Sequence, residues 1–386
     1  MGTEFGSIFA KPNGFPYSDF GVYIGASSYS TNLNPDAIKA KYSQFHIFAP
    51  TDSGIGFPYN ELRQYDAQQV AAGKPSLFVT ATYQGKRRPV MYFRSLGLSG
   101  NRPTTSPQSW KYVVNVRDPR FINFWITKYA RPVVVEPMAH LGSPYVYVDG
   151  VTVLYSAYGV LDNSNHFVPG VKWDEPYPQS GNDFQAAMAT FFAAVKEQAS
   201  DVKIMVDTGS LSNPSGYQTL YANVPGILTE NVYGWAPNPD SYVINNWTTT
   251  IFPWFAWAGA TGKVNVMGAF LPSNYESGAL QTAFVVYELL KGANSFFAPR
   301  VGGTALPLSA GWMSWNAKLG GPVGAYKSTG VGNRLFSRQY TNGYVYLNWT
   351  GRTETVTLPG ATWYDPHDNR VTRLTIPNGT GTFVNR

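Results

Sequence analysis

The sequence contains no cysteine, which excludes disulfide bonds and thiolate chemistry. Its four histidines are scattered, and none has the spacing of a metal-binding motif. No apolar run reaches the roughly eighteen residues that a membrane-spanning helix needs. Charged residues are scarce at 13%, whereas aromatic residues reach 16%, a balance that argues against disorder and fits a loop-rich folded enzyme. We therefore expect no metal, no other cofactor and no membrane partner.

The net charge of +6 is modest and is not organised into long basic runs. The stretch from Gln84 to Arg102 is an exception, because it holds five basic residues and no acid. Such a stretch is typical either of a solvated loop or of a surface that meets an anionic partner. No nucleic-acid-binding module is recognisable around it, so we expect no nucleic-acid partner.

The length of the chain and its pattern of predicted strands and helices together divide the sequence into three parts. Residues 1–7 match the translation of three successive cloning sites and are left out of the fold. Strand and helix patterns alternate along residues 8–318, which predicts an α/β fold, a (β/α)₈ barrel. Residues 319–386 lose the helical period and show short strands between turns, which predicts a small antiparallel β-sandwich.

Eight segments of the first part have the composition of barrel strands. They are residues 20–26, 44–49, 76–82, 145–149, 203–207, 226–230, 263–268 and 295–298. A helix is predicted after most of them, including residues 35–42, 60–72, 182–199 and 275–290. The helix over 118–140 is expected to break at Pro132 and Pro137, and 83–117 and 150–181 are expected to be long loops.

Two of the predicted strands end in a carboxylate. Asp149 follows a buried-type strand and precedes a glycine, and Glu230 ends the sixth predicted strand. The carboxyl ends of barrel strands carry the active site, and glycoside hydrolysis needs two carboxylates that face one cleft. Asp149 and Glu230 are therefore the candidate catalytic pair.

Other residues are candidates for holding the substrate. Asp207 ends the strand between the two acids, where it can be a hydrogen-bonding partner or the acid itself. Trp173, Asp174 and Glu175 lie together in a long loop, as a sugar subsite or as a surface turn. Tyr233 and Trp235 follow Glu230 closely, and aromatic faces stack on sugar rings.

Short motifs in both parts resemble one family. The run Tyr147-Val148-Asp149-Gly150-Val151 resembles the Phe-Leu-Asp strand of a group of barrel glycosyl hydrolases that are relatives of endo-α-1,4-polygalactosaminidases. The runs at 338–340 and 342–348 are similar to the terminal β-domain of that group. The resemblance implies a barrel with a terminal β-domain. By analogy with barrel hydrolases that carry acids on strands four and six, it implies Asp149 as nucleophile and Glu230 as acid/base.

The sequence thus predicts a glycoside hydrolase that cleaves a polysaccharide or oligosaccharide, neutral or anionic. Three alternatives stay open, namely a non-catalytic carbohydrate-binding barrel, a polysaccharide lyase and a structural coat or adhesion protein. We expect a secreted or periplasmic location, with a signal peptide removed ahead of this sequence.

Overall fold

The computed structural model describes most of the chain beyond residue 57 and a few short strands before it. The described residues are 24–25, 40–41, 45–46, 49–50, 58–92, 96–107, 110–136, 145–148, 158–174, 176–177, 181–207, 216–233, 251–271, 278–301, 304–305, 312–360 and 362–386. All statements about absences below concern these residues.

The centre of the molecule is a parallel sheet. Its strands are, in spatial order, β1 (Ile24–Gly25), β2 (Ala40–Lys41), β8 (Tyr145–Val148), β11 (Lys203–Asp207), β12 (Gly226–Tyr233), β13 (Val264–Leu271) and β14 (Ser295–Val301). The short β15 (Thr304–Ala305) joins β14 in the antiparallel direction. Val146, Val206 and Ile227 are fully buried, as expected for parallel strands that are covered on both faces.

The helices that accompany this sheet are mostly amphipathic or wholly apolar. They are α1 (Tyr59–Ala71), α2 (Pro119–Trp125), α3 (Gly181–Gln198), α4 (Tyr217–Leu220), α5 (Phe252–Ala260), α6 (Ala279–Leu290) and α7 (Trp312–Leu319). After α2 the helix continues as a wider π-helix over Ile126–Val135. The break predicted at Pro132 is therefore wrong, because the helix passes through this residue in the π form.

The α/β class predicted from the sequence is confirmed, but the closed eight-stranded barrel is not seen. No pairing within the described residues joins β14 or β15 back to β1. The segments predicted as the second and third barrel strands are also absent from this sheet. Residues of the second, 44–49, instead contribute to a separate antiparallel pair, β3 (Phe45–His46) and β4 (Ala49–Pro50). The strand β2 lies where a helix over 35–42 was predicted, and it pairs directly with β8.

A local hairpin takes the residues that were expected to form the third strand. The strand β5 (Thr80–Tyr83) pairs in the antiparallel direction with β6 (Lys86–Pro89). The two residues between them, Gln84 and Gly85, have φ of 49° and 69°. Positive φ at both central positions defines the turn whose twist matches a two-residue hairpin. This turn explains why the chain folds back here instead of joining the parallel sheet.

The hairpin belongs to a small antiparallel unit built from both predicted long loops. A second sheet consists of β7 (Met91–Tyr92), β9 (Tyr158–Leu161) and β10 (Phe167–Pro169), with β9 in the middle. Met91, Leu96, Leu161 and Phe167 form its own apolar core. We call the described residues of 77–117 and 158–177 the hairpin unit.

The C-terminal part is an antiparallel β structure. Six strands form one sheet, namely β16 (Lys327–Thr329), β17 (Leu335–Gln339), β18 (Gly343–Asn348), β23 (Thr380–Asn385), β20 (Trp363–Tyr364) and β21 (Arg370–Val371). The strands β19 (Glu354–Thr357) and β22 (Arg373–Ile376) form a separate two-stranded ribbon. A short 3₁₀ turn, Val331–Asn333, precedes β17. The predicted boundary at residue 319 and the full sandwich remain predictions.

Alternation along the strands gives the six-stranded sheet two apolar faces. Tyr346 and Val384 contact Leu374 and Ile376 of the ribbon. Val345, Leu347 and Phe383 on the other face belong to the main core, together with residues of α6. The C-terminal sheet is therefore held directly against a helix of the α/β part.

Candidate functional site

The candidate site is built on the carboxyl edge of the parallel sheet, where β8, β11 and β12 lie side by side. Val148, the last residue of β8, is the register partner of Val206. Asp207, the last residue of β11, is the partner of Leu228 on β12. Because the three strands run parallel, the residues at their carboxyl ends meet at one edge.

Two of the three predicted acids have a described backbone at this edge. Asp207 ends β11, and Glu230 lies two residues beyond the partner of Asp207 on the neighbouring strand. Asp149 follows Val148 directly in the sequence but lies outside the described residues. The side chains of Asp207 and Glu230 also lie outside what the structure describes, so their contacts stay predictions.

The backbone at Glu230 is irregular. Thr229 pairs with Met267, and the next pair on the same two strands is Tyr233 with Ala269. β12 therefore advances four residues while β13 advances two, which places a bulge over residues 230–232. A bulge bends a strand and re-aims its side chains, and bulges are over-represented beside active sites. The sequence predicted the strand to end at Glu230, whereas it continues through the bulge to Tyr233.

The residues beneath this edge are buried. Val148 and Val206 are fully buried, and Leu228 and Thr229 are almost fully so. The candidate acids therefore lie at the end of a closely packed part of the sheet.

The structure buries Trp173 and ties Asp174 to the hairpin of β5 and β6. Trp173 is buried at 3% exposure. Oδ1 of Asp174 accepts from the main-chain N–H of Thr82 at 2.8 Å, and Oδ2 accepts from Oγ1 of Thr80 at 2.8 Å and from Nε of Arg87 at 3.2 Å. Both carboxylate oxygens are thus engaged in tying the loop to β5 and β6. A substrate contact by either residue stays a prediction.

These contacts also determine how Asp174 titrates. Burial alone would raise the pKa of Asp174, but the hydrogen bonds from Thr80 and Thr82 and the charge of Arg87 together lower it. The carboxylate is therefore ionised at neutral pH and stays a hydrogen-bond acceptor. It is suited to positioning the loop and not to donating a proton.

The remaining candidates are only partly placed. Tyr233 is the last residue of β12, where its backbone pairs with Ala269, and its side chain is outside the description. Glu175 and Trp235 both lie outside the described residues. The site predictions for these three residues are therefore untested.

Sequence reasoning missed Arg87 and Thr80 as partners of Asp174. Arg87 and Asp174 are 87 residues apart, and Arg87 was assigned only to a basic stretch. No local pattern connects two such positions, because the link arises from the two hairpins that bring the long loops together. The one signal in the sequence is the presence of basic residues in the first long loop and of an acid in the second.

No group of three or more His, Cys, Asp and Glu side chains suited to a metal ion exists within the described part of the chain. In the same residues, no helix is both long and apolar enough to cross a membrane.

Known proteins give only distant likenesses. No family model matches the chain, and no curated protein matches it. Among solved structures, a family GH13_31 enzyme superposes with a TM-score of 0.41 and 11% identity, over 93% of this chain and 94% of that one. Amy13B of Eubacterium rectale gives 0.44 and 9%, over 91% and 79%. The glycoside hydrolase domain of PelA from Pseudomonas aeruginosa gives 0.35 and 11%, over 75% and 90%.

These three solved structures are glycoside hydrolases.

Proposed function

We propose that the chain is a glycoside hydrolase in which Asp149 is the nucleophile and Glu230 is the acid/base. The observation that carries the proposal is the bulge at Glu230, on a strand separated from the strand before Asp149 by β11 alone. Two acids at one edge of a parallel sheet, one of them on an irregular backbone, fit the arrangement of a two-carboxylate site.

The spacing of the strands fits this chemistry. Neighbouring strands lie about 4.8 Å apart, so the backbones of β8 and β12 are about 10 Å apart. Side chains that lean toward each other from this separation can bring the carboxyl groups to about 5.5 Å, for retention of configuration, or leave them at about 6.5–9.5 Å, for inversion. NMR of the first-formed product anomer distinguishes the two outcomes.

Asp207 lies between these positions and is proposed as a hydrogen-bonding partner of the two acids. A neighbouring negative charge makes a second carboxyl group harder to ionise, which helps to keep Glu230 protonated for its role as acid. Secretion or a periplasmic location is part of the same proposal, because polymeric glycans do not cross membranes.

The test is release of reducing ends from a panel of neutral and acidic polysaccharides. The variants Asp149→Asn and Glu230→Gln should each lose several orders of magnitude in rate while keeping the unfolding midpoint of the wild type. The matched control is Asp201→Asn. Asp201 precedes the opposite, amino end of β11 and pairs with Arg131 at 2.8 Å, so its loss should leave the rate unchanged.

Full activity in Asp149→Asn would contradict the assignment of the nucleophile. Saturable binding of a glycan with no turnover by the wild type would favour the non-catalytic carbohydrate-binding protein. Products with an unsaturated sugar, which absorbs in the near ultraviolet, would identify a lyase.

A further inference from the structure

The turn between β9 and β10, residues 162–166, receives two guanidinium groups. Arg88 donates to the main-chain oxygen of Asp162 at 3.5 Å and to Oδ1 of Asn163. Arg102 donates from Nε to Nε2 of His166 at 2.9 Å. These bonds hold both guanidinium groups against the turn.

The acids of the hairpin unit are already in use. The carboxylate of Asp162 accepts from the main-chain N–H groups of Ser164 and His166 at 2.7 and 2.9 Å. Asp174 pairs with Arg87. These two are the only acids among the described residues of the unit, against seven basic residues. The basic residues are Lys86, Arg87, Arg88, Arg102, Lys111, Arg117 and Lys172.

Three of these cations form one surface. Lys86 is exposed and lies two residues before Arg88 on β6, so the two side chains leave the same face of the strand. Arg88 is partly buried, and its terminal nitrogens contact the turn. Arg102 is exposed on the other side of the turn. We call Lys86, Arg88 and Arg102 the basic face.

The chain connectivity links this face to the candidate site through the turn that it contacts. The turn at 162–166 belongs to the connection that leaves β8 at Val148 and enters α3 at Gly181. Connections that follow parallel strands begin at their carboxyl edge. The same connection begins with Asp149, so the turn that Arg88 and Arg102 contact shares one loop with the proposed nucleophile.

We propose that the basic face binds the carboxylate groups of an acidic polysaccharide, a polyuronate, and that such a polymer is the substrate class of the neighbouring site. This inference rests on the proposed hydrolase function for its link to catalysis. The planar fork of arginine matches a carboxylate, and an exposed lysine adds a point charge. A polymer with one carboxylate per sugar can meet cations that are spread over two hairpins.

Binding of the full chain to polygalacturonate, measured by affinity electrophoresis at low and high salt, tests the proposal. Lys86→Glu should weaken binding about fivefold at low salt, because it reverses an exposed charge beside a polyanion. Arg102→Gln should act in the same direction. Lys327→Glu is the matched control, since it makes the same change of charge on the exposed β16 and should leave binding unchanged.

Several outcomes would overturn the proposal. They are equal binding of neutral dextran, equal weakening by Lys327→Glu, or equal retention by a DNA duplex or by phosphatidylserine vesicles. The measurement is repeated in Asp149→Asn, so that binding is read without turnover. Binding of polygalacturonate with no turnover of any glycan would contradict the proposed hydrolase function and support the proposed role of the basic face. Hydrolysis of a neutral glycan without binding of polygalacturonate would support the hydrolase function and contradict the role of the basic face.

Discussion

The strands β8 and β11 of the parallel sheet differ from the C-terminal sheet in where they keep their polar side chains. In the parallel sheet the buried centres of β8 and β11 are apolar, and an acid ends β11. In the C-terminal sheet Asn348 is fully buried and makes hydrogen bonds with its own region. Its amide donates to the main-chain oxygens of Arg352 and Ile376, and its Oδ1 accepts from Thr350.

The difference separates two uses of a polar group. A buried amide whose donors and acceptor are all satisfied stabilises one conformation and is no longer available to a ligand. An acid at the carboxyl end of a parallel strand lies at the edge of the sheet and can face a cleft. We therefore expect substitutions in the C-terminal sheet to act on stability, and those at the carboxyl edge to act on rate.

The largest effect on stability should come from Trp349→Ala. Trp349 is 1% exposed, and its ring lies 5.7 Å from that of Phe252 on α5 and 5.9 Å from that of Phe336 on β17. The cavity should cost about 3–5 kcal/mol in the free energy of unfolding, measured with denaturant. Tyr364→Ala is the control, because Tyr364 is 37% exposed. A small loss in the free energy of unfolding of Trp349→Ala would mean that the C-terminal sheet adds little to the stability of the α/β part.

The contact of α6 with β23 should be nearly as sensitive. A Cβ atom on Gly381 would lie 2.8 Å from Cβ of Val285 and 3.3 Å from the Cα of Thr282. Gly381→Ala must therefore push the strand from the helix, at a cost of about 1–3 kcal/mol. Gly321→Ala is matched, since a Cβ there meets nothing within 4 Å. Equal unfolding midpoints of the two variants would show that α6 and β23 can move apart at Gly381 without loss of stability.

A third effect concerns the end of α6. One amino group of Arg338 donates to the main-chain oxygens of Glu288, Leu289 and Lys291, at 3.0, 3.3 and 2.8 Å. A cation at the C-terminal end of a helix donates hydrogen bonds to carbonyl groups that have no partner within the helix. Its positive charge also interacts favourably with the negative end of the helix dipole.

Arg338→Met should therefore cost about 1.5–3 kcal/mol in the free energy of unfolding. The control is Arg352→Met. Its side chain is 65% exposed and pairs with Glu354, so its loss should cost less than about 1 kcal/mol. An Arg338→Met protein as stable as the control would show that water replaces these three bonds.

The last effect is a pH dependence in the parallel sheet, at the amino end of β13. Lys263 is 7% exposed, and its Nζ donates to the main-chain oxygens of Ala222 and Val224. Burial, with a contribution from the charge of Lys196, lowers the pKa of Lys263 to about 8 from 10.5.

Between these two pH values the unfolded chain holds a proton at this position that the folded protein has released. Lys263 should therefore contribute stability that grows with pH from about 8 to 10.5. The difference in the free energy of unfolding between the wild type and Lys263→Met should grow over this range, whereas the difference from Lys74→Met, at an exposed lysine, should stay constant. Parallel profiles of the wild type and Lys263→Met would contradict the lowered pKa.

Much of the parallel sheet was predictable, because its strands are apolar runs that end at turn residues. The fifth predicted strand, 203–207, coincides with β11. The third failed because a two-residue turn at Gln84-Gly85 offers an antiparallel partner only a few residues away. The predicted edge position of Asp207 follows from strand ends alone. The bulge at Glu230 could not be predicted, since it depends on the register with β13, which no residue of β12 determines by itself.

The hairpin of β5 and β6 also has a kinetic consequence. Its two strands are joined by two residues, so it can close in about 1–10 μs. The pairing of β2 with β8 joins Ala40 to Tyr145, a loop of over one hundred residues whose closure is entropically costly. The hairpin can therefore form before the central sheet and withdraw residues 80–83 from competition for a place between β2 and β8. Slowing its closure, by replacing Gly85 with a β-branched residue, should populate a misregistered intermediate during refolding.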